Sequence, residues 1–240
     1  MIDYISILLA TLIPGIIWVF VIWITIPHTS TSFSKFVQFF LFGVISVGGV
    51  VYFDRIFPGF YSSVLPVTSD IGAVSLNFLR TAPLEEVMKF LSFFLMSSLL
   101  IGRSGHPSSY LAYGAVLGLG FAVIENIGYG VVYGYNVALM RSLTSSIMHV
   151  GNGIILSWFY AMGQIRSTWS RNRMDLIFRK FPVFKAISYS MSGLFCCIMI
   201  HGYYNYIIFI ESPSGNTIFL LFFIVVLTWA MARNSQIGNS

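Results

Sequence analysis

Val74 to Leu100 reads VSLNFLRTAPLEEVMKFLSFFLMSSLL, an apolar run long enough to cross a bilayer that nevertheless carries Glu85, Glu86 and Lys89 near its middle. Further apolar runs lie at approximately 4–26, 36–53, 110–134, 138–163, 184–210 and 217–232, which makes about seven transmembrane helices. Such a pattern predicts an all-α fold, a polytopic helical membrane protein, with residues 1–240 forming a single integral membrane domain. Composition agrees: 57% of the 240 residues are hydrophobic and only 9% charged, against roughly a quarter charged in a soluble domain. So small a charged fraction cannot cover a water-soluble surface, and the chain has no basic, aromatic-interleaved module for binding nucleic acid. Cys196 and Cys197 stand side by side in an apolar run, which offers neither a disulfide framework nor a cysteine zinc site and reads as packing.

Orientation follows from the loop between the fifth and sixth runs, which holds Arg166, Arg171, Arg173, Arg179 and Lys180, with Lys185 at its edge. Basic loops stay in the cytoplasm. Counting outward from that loop puts the N-terminus outside and the C-terminus, with Arg233, in the cytoplasm, and leaves Arg55, Arg80 and Arg141 outside. The expected location is the cell membrane, crossed several times. Asp3 precedes the first run where a secretory signal would be basic, and a small-residue cleavage site is missing there, so this run is expected to be a retained helix.

A charge at the bilayer centre costs about 2.5–3.5 kcal/mol on insertion scales, so ionisable residues inside spans are functional candidates. Here they come from four successive runs: Glu85, Glu86 and Lys89 in the third, Glu125 in the fourth, His149 in the fifth and His201 in the sixth. Measured from the outer end of its own run each lies about ten residues in, or roughly 15 Å deep at 1.5 Å per residue. Groups at one depth can converge on one point. Within the third helix Glu85 and Lys89 are four residues apart on one face and Glu86 is turned by about 100°. Lys89 can therefore neutralise one carboxylate and leave the other as base or ligand. His201 and Asn205 also share a face, while Gly114, Gly118 and Gly120 would let neighbouring helices approach closely.

Two histidines and one or more glutamates from separate helices suit a catalytic zinc with an open position for water. The expected metal ligands are Glu86, Glu125, His149 and His201, with Glu85 or Glu86 as general base and Asn205 as a donor to the developing oxyanion. Peptide hydrolysis inside the membrane is the reaction class this chemistry suits. No His-Glu-x-x-His helix and no Gly-x-Ser-x-Gly element occurs, so neither the commonest metalloprotease arrangement nor a serine protease is indicated. Plainer roles are open to the same residues: an ion pair for Lys89, and interhelical hydrogen bonds for Glu125, Asn126, Asn205 and the histidines. Carboxylate and histidine chains also serve ion- or proton-coupled transporters, although two matching halves are not visible here.

At APLEEVMKF (Ala82 to Phe90), GLGFAVIENIGY (Gly118 to Tyr129), the His149 helix and HGYYN (His201 to Asn205) the sequence resembles the PrsW-type intramembrane metalloproteases, distant relatives of CAAX-processing membrane proteases. The resemblance covers the third to sixth runs and makes approximately 74–210 the catalytic helices. It implies metal-dependent cleavage of a membrane-anchored substrate, a single-span protein such as an anti-sigma factor, with Glu85, Glu86, His149 and His201 carrying the site. CAAX-type enzymes have Phe-x-x-x-His where Glu125 stands and Glu-Glu-x-x-x-Arg where this chain has Glu-Glu-x-x-Lys, and both departures count against a prenylated substrate. The expected partners are that substrate and the lipid bilayer.

Overall fold

The computed structural model describes residues 3–25, 31–57, 72, 74, 76–101, 107–172, 182–210, 221 and 225. Those residues are helical apart from short connections. The helices are α1 (Tyr4–Thr25), α2 (Phe33–Ile56), α3 (Ala82–Met96), α4 (Pro107–Tyr133), α5 (Tyr135–Asn172) and α6 (Pro182–Phe209). Wider π-helical turns, Leu76–Thr81 and Ser97–Ile101, extend α3 at both ends. Asp3 starts α1 by accepting hydrogen bonds from the Ser6 hydroxyl and from the Ser6 amide, the latter at 3.2 Å; these bonds hold its exposed carboxyl below the usual carboxylate range.

Four helical segments are long and apolar enough to cross a membrane: Tyr4–Thr25, Phe33–Ile56, Ser109–Tyr133 and Ala186–Phe209. The expected count of about seven is not reached among the described residues, for identifiable reasons. The seventh run, 217–232, lies outside them apart from Leu221 and Val225. Of the other two, α3 has only 15 residues of regular α-helix between its π-helical turns, and α5, at 38 residues, is too polar along its length. These are the helices that carry Glu85, Glu86 and Lys89, and Arg141, His149 and Asn152. The loop residues Arg173, Arg179 and Lys180, with Arg103 and Arg233, also fall outside the described residues, whereas Arg171 lies in the last turn of α5 and not in a loop.

The centre of the bundle is α4, whose apolar window is the most buried of the four spans. Glycines decide how closely its neighbours approach. A Cβ on Gly114 would stand 2.2 Å from the carbonyl oxygen of Gly153, and one on Gly153 would stand 2.1 Å from that of Gly114. One turn along the same face, a Cβ on Gly118 would meet the His149 carbonyl oxygen at 2.2 Å. Backbones this close permit no side chain between them, so α4 and α5 lock in one register. Their connection is Gly134 alone, at φ +95°, a left-handed conformation that favours glycine and turns the chain back antiparallel. On the other side of α4, Tyr113 stacks on Phe39 of α2 at 4.6 Å between centroids, and Phe93 of α3 meets Tyr160 of α5 edge-on at 5.5 Å. Ile5, Ile16 and Phe20 on α1 and Val132 on α4 project outward, the apolar surface that a lipid environment requires.

Candidate active site

The first turn of α3 contains Pro83, at the junction with the π-helical turn Leu76–Thr81, and then Glu85. Glu85, Glu86 and Lys89 all point into the bundle and are 6%, 1% and 2% exposed. They meet His149 and His201, at 0% and 1%. Burial this complete requires partners for every charge.

The Lys89 ammonium donates to Glu86 Oε1 at 2.7 Å and to His149 Nδ1 at 2.9 Å, and sits 4.4 Å from the centre of the Phe121 ring. An ammonium has only donors, so His149 Nδ1 accepts and its proton resides on Nε2. That Nε2–H donates to Glu125 Oε2 at 2.7 Å. Glu125 Oε1 in turn forms an ion pair with Arg141 Nη2 at 2.8 Å. On the opposite side, Glu86 Oε1 also accepts from His201 Nδ1 at 2.7 Å and from Asn152 Nδ2 at 3.0 Å. Six side chains from α3, α4, α5 and α6 thus form one chain of contacts from Arg141 through Glu125, His149, Lys89 and Glu86 to His201. Convergence at a single depth is what the spans predict.

Glu85 stands apart from this network. Its Oε2 is buried and, among the described residues, accepts no hydrogen bond; His201 Nε2 lies 3.6 Å away, beyond hydrogen-bonding distance. With Nδ1–H committed to Glu86, His201 Nε2 carries its lone pair toward Glu85. The His149 and His201 rings stand edge to face with centroids 5.1 Å apart. Glu85, His149 and His201 each offer one donor atom, and the three atoms lie within 4.8 Å of one another.

The expected ligand set of Glu86, Glu125, His149 and His201 is therefore distributed differently in space. Lys89 pairs with Glu86 at i,i+3, leaving Glu85 as the carboxylate close to both imidazoles. Glu125 touches His149 but is engaged by Arg141. Asn205 is half-buried on α6, and no hydrogen bond joins it to the cluster among the described residues. Arg141, placed on the outer side by the charge count, sits on α5 with its side chain only 12% exposed and paired with Glu125.

Asn152 is a further member that sequence reasoning missed. Its amide binds Glu86 Oε1 and, at 3.1 Å, the Cys197 carbonyl, while Cys197 Sγ donates to the Asn152 carbonyl at 3.3 Å. Its position three residues after His149, on the same helix face, was the available signal.

A family model described as PrsW family intramembrane metalloprotease matches residues 31–231, which include every residue of this cluster. The chain belongs to the PrsW family. It is similar to Protease PrsW of Geobacillus kaustophilus, 24% identical over 95% of this chain and 90% of that protein. Protease PrsW of Bacillus subtilis is 27% identical over 70% of this chain and 69% of its own length. The match to Protease PrsW of Shouchella clausii, at 25% identity, spans 63% of that relative, less than two thirds of its length. No solved structure matches the chain.

Proposed function

We propose that this PrsW-family protein is a membrane-embedded endopeptidase whose metal, zinc, is held by Glu85, His149 and His201. The observation that carries the reading is the facing pair Glu85 Oε2 and His201 Nε2, 3.6 Å apart, with Glu85 Oε2 buried and accepting no hydrogen bond among the described residues. A carboxylate facing an imidazole lone pair in the interior calls for a proton or a metal cation between them, and the second imidazole close by favours the metal. The donor set fits: zinc bonds of about 2.0–2.2 Å to nitrogen and oxygen, tetrahedrally arranged, place neighbouring donors about 3.3–3.5 Å apart. His201 carries the carboxylate partner that orients metal-binding imidazoles, Glu86 on Nδ1. Both nitrogens of His149 already have partners, so loading exchanges the Lys89 bond on Nδ1 for a coordinate bond and leaves Glu125 on Nε2.

Bound zinc supplies Lewis acidity, polarising a peptide carbonyl and acidifying water. The protein's own part is proton movement and orientation. Glu86 and Glu125 spend their charge on Lys89 and Arg141, which leaves Glu85 Oε1, the oxygen turned from His201, as the proton acceptor for the attacking water while Oε2 belongs to the donor set. Asn205, one turn beyond His201, is the donor assigned to the oxyanion. The substrate class is a single-span membrane protein such as an anti-sigma factor, with the scissile bond near the extracytoplasmic end, where the basic-loop orientation places the site. Elemental analysis of the purified protein tests the metal: near-stoichiometric zinc in the parent and little in a His149→Ala/His201→Ala variant is expected. Equal zinc in both would sink the assignment.

A further inference from the structure

Arg141 lies outside the donor set, and among the described residues its direct contact with that set runs through Glu125. Its guanidinium is held on several sides: Nη2 on Glu125 Oε1 at 2.8 Å and on Ser145 Oγ at 3.2 Å, Nε on Asn126 Oδ1 at 3.2 Å, and the whole group over the Tyr129 ring at 3.7 Å. A fork gripped this way cannot drift, and it holds its charge against one oxygen of the carboxylate. With the two side chains 12% and 13% exposed, each charge depends on the other for compensation.

The result is a divided carboxylate. Oε1 of Glu125 belongs to Arg141, and Oε2 belongs to His149 Nε2 at 2.7 Å. Glu125 is absent from the close group formed by Glu85, His149 and His201 although it touches one of its members. A carboxylate with both oxygens and its charge engaged orients an imidazole; it does not readily donate to a metal.

We infer that Arg141 is a positioning residue of the centre, keeping Glu125 as the hydrogen-bond partner of His149 and out of the metal's coordination shell. The inference rests on the metal reading above and adds what that reading does not assign.

The test is a double-mutant cycle read in zinc affinity, measured by chelator competition on the purified full chain. Arg141→Met frees the Glu125 Oε1 anion, so zinc is expected to bind tighter, by about tenfold, as Glu125 joins the donors. In a Glu125→Gln background the same change should alter zinc affinity by less than about threefold, because the group through which Arg141 acts is gone. Arg141→Lys keeps the charge beside Glu125 and should stay within about threefold of the parent. A guanidinium acting only as a distant charge would shift affinity by one factor in both backgrounds, and that result, or no shift in either, overturns the inference.

Should Arg141→Met fail to fold, Arg141→Met/Glu125→Gln strands no charge and is expected to fold. Failure of that double variant where Glu125→Gln folds also overturns it. A parent that binds no zinc would sink the metal reading alone. Thermal unfolding of the four metal-free proteins then decides the pair: additive losses in Tm count against the inference, and a double variant no less stable than Arg141→Met supports it.

Discussion

Lys89→Met isolates the electrostatic keystone of the bundle. The methionine keeps length and apolar bulk, so the stem contacts beside Phe121 survive while the ammonium and its bonds to Glu86 and His149 are lost. Glu86 is then a carboxylate only 1% exposed that has lost its cation. Removing one partner of a buried ion pair costs about 3–5 kcal/mol. Glu86 Oε1 still accepts from His201 and Asn152, which places the expected loss toward the lower end, about 3 kcal/mol. At roughly 2–4 °C per kcal/mol for a chain of this size, Tm should fall by about 6–12 °C.

The partner experiment is Glu86→Gln/Lys89→Met, which removes both charges and keeps shape. It should recover at least half of the lost Tm, since most of the penalty is the stranded charge and not the missing contact. Thermal unfolding in detergent, on metal-free protein to exclude linkage to bound zinc, is the assay. A Lys89→Met protein within about 2 °C of the parent, or a double variant as unstable as the single, would refute the argument that this ion pair is buried and charged.

Gly118→Ala forces a Cβ to within 2.2 Å of the His149 carbonyl and should cost about 1–3 kcal/mol while moving His149 off the site. Gly128→Ala, with nothing within 4 Å of the added carbon, should be neutral or stabilise by up to about 1 kcal/mol, and equal effects in denaturation would contradict the packing. Glu85→Gln should fold and lose cleavage by about 10²–10⁴-fold, whereas full proteolysis would move the base elsewhere. New termini in a cleaved single-span substrate, mapped by mass spectrometry, should cluster toward the extracytoplasmic end; cytoplasmic cuts would contradict the orientation.

Much of the protein was legible in one dimension because the bilayer prices residues one by one. Runs such as 4–26 and 36–53 correspond closely to α1 and α2, since an apolar stretch of that length has few other stable fates. The same cost marked Glu85, Glu86, Lys89, Glu125, His149 and His201 as out of place, and their equal depth followed from counting residues along straight helices. Those six residues do meet. The helix boundaries near Asn172 were harder, because polar residues there suggested loop while the backbone continued as helix to the end of α5.

Pairing was a different matter. Lys89 lies three residues from Glu86 and four from Glu85, and helical spacing permits either partner. The choice of Glu86 depends on where His201 and Asn152 project from α6 and α5, respectively, which is a question of helix rotation. Arg141 was assigned to the outside because positive charge is counted by loop, whereas its partner is on the preceding helix across the Gly134 hairpin. Sequence alone determined the membrane, the helices and the set of costly side chains, because each is a sum over neighbouring residues. Only the tertiary structure decided which carboxylate remains unpaired, because that depends on the register set by contacts such as Gly114 with Gly153, between residues distant in the chain.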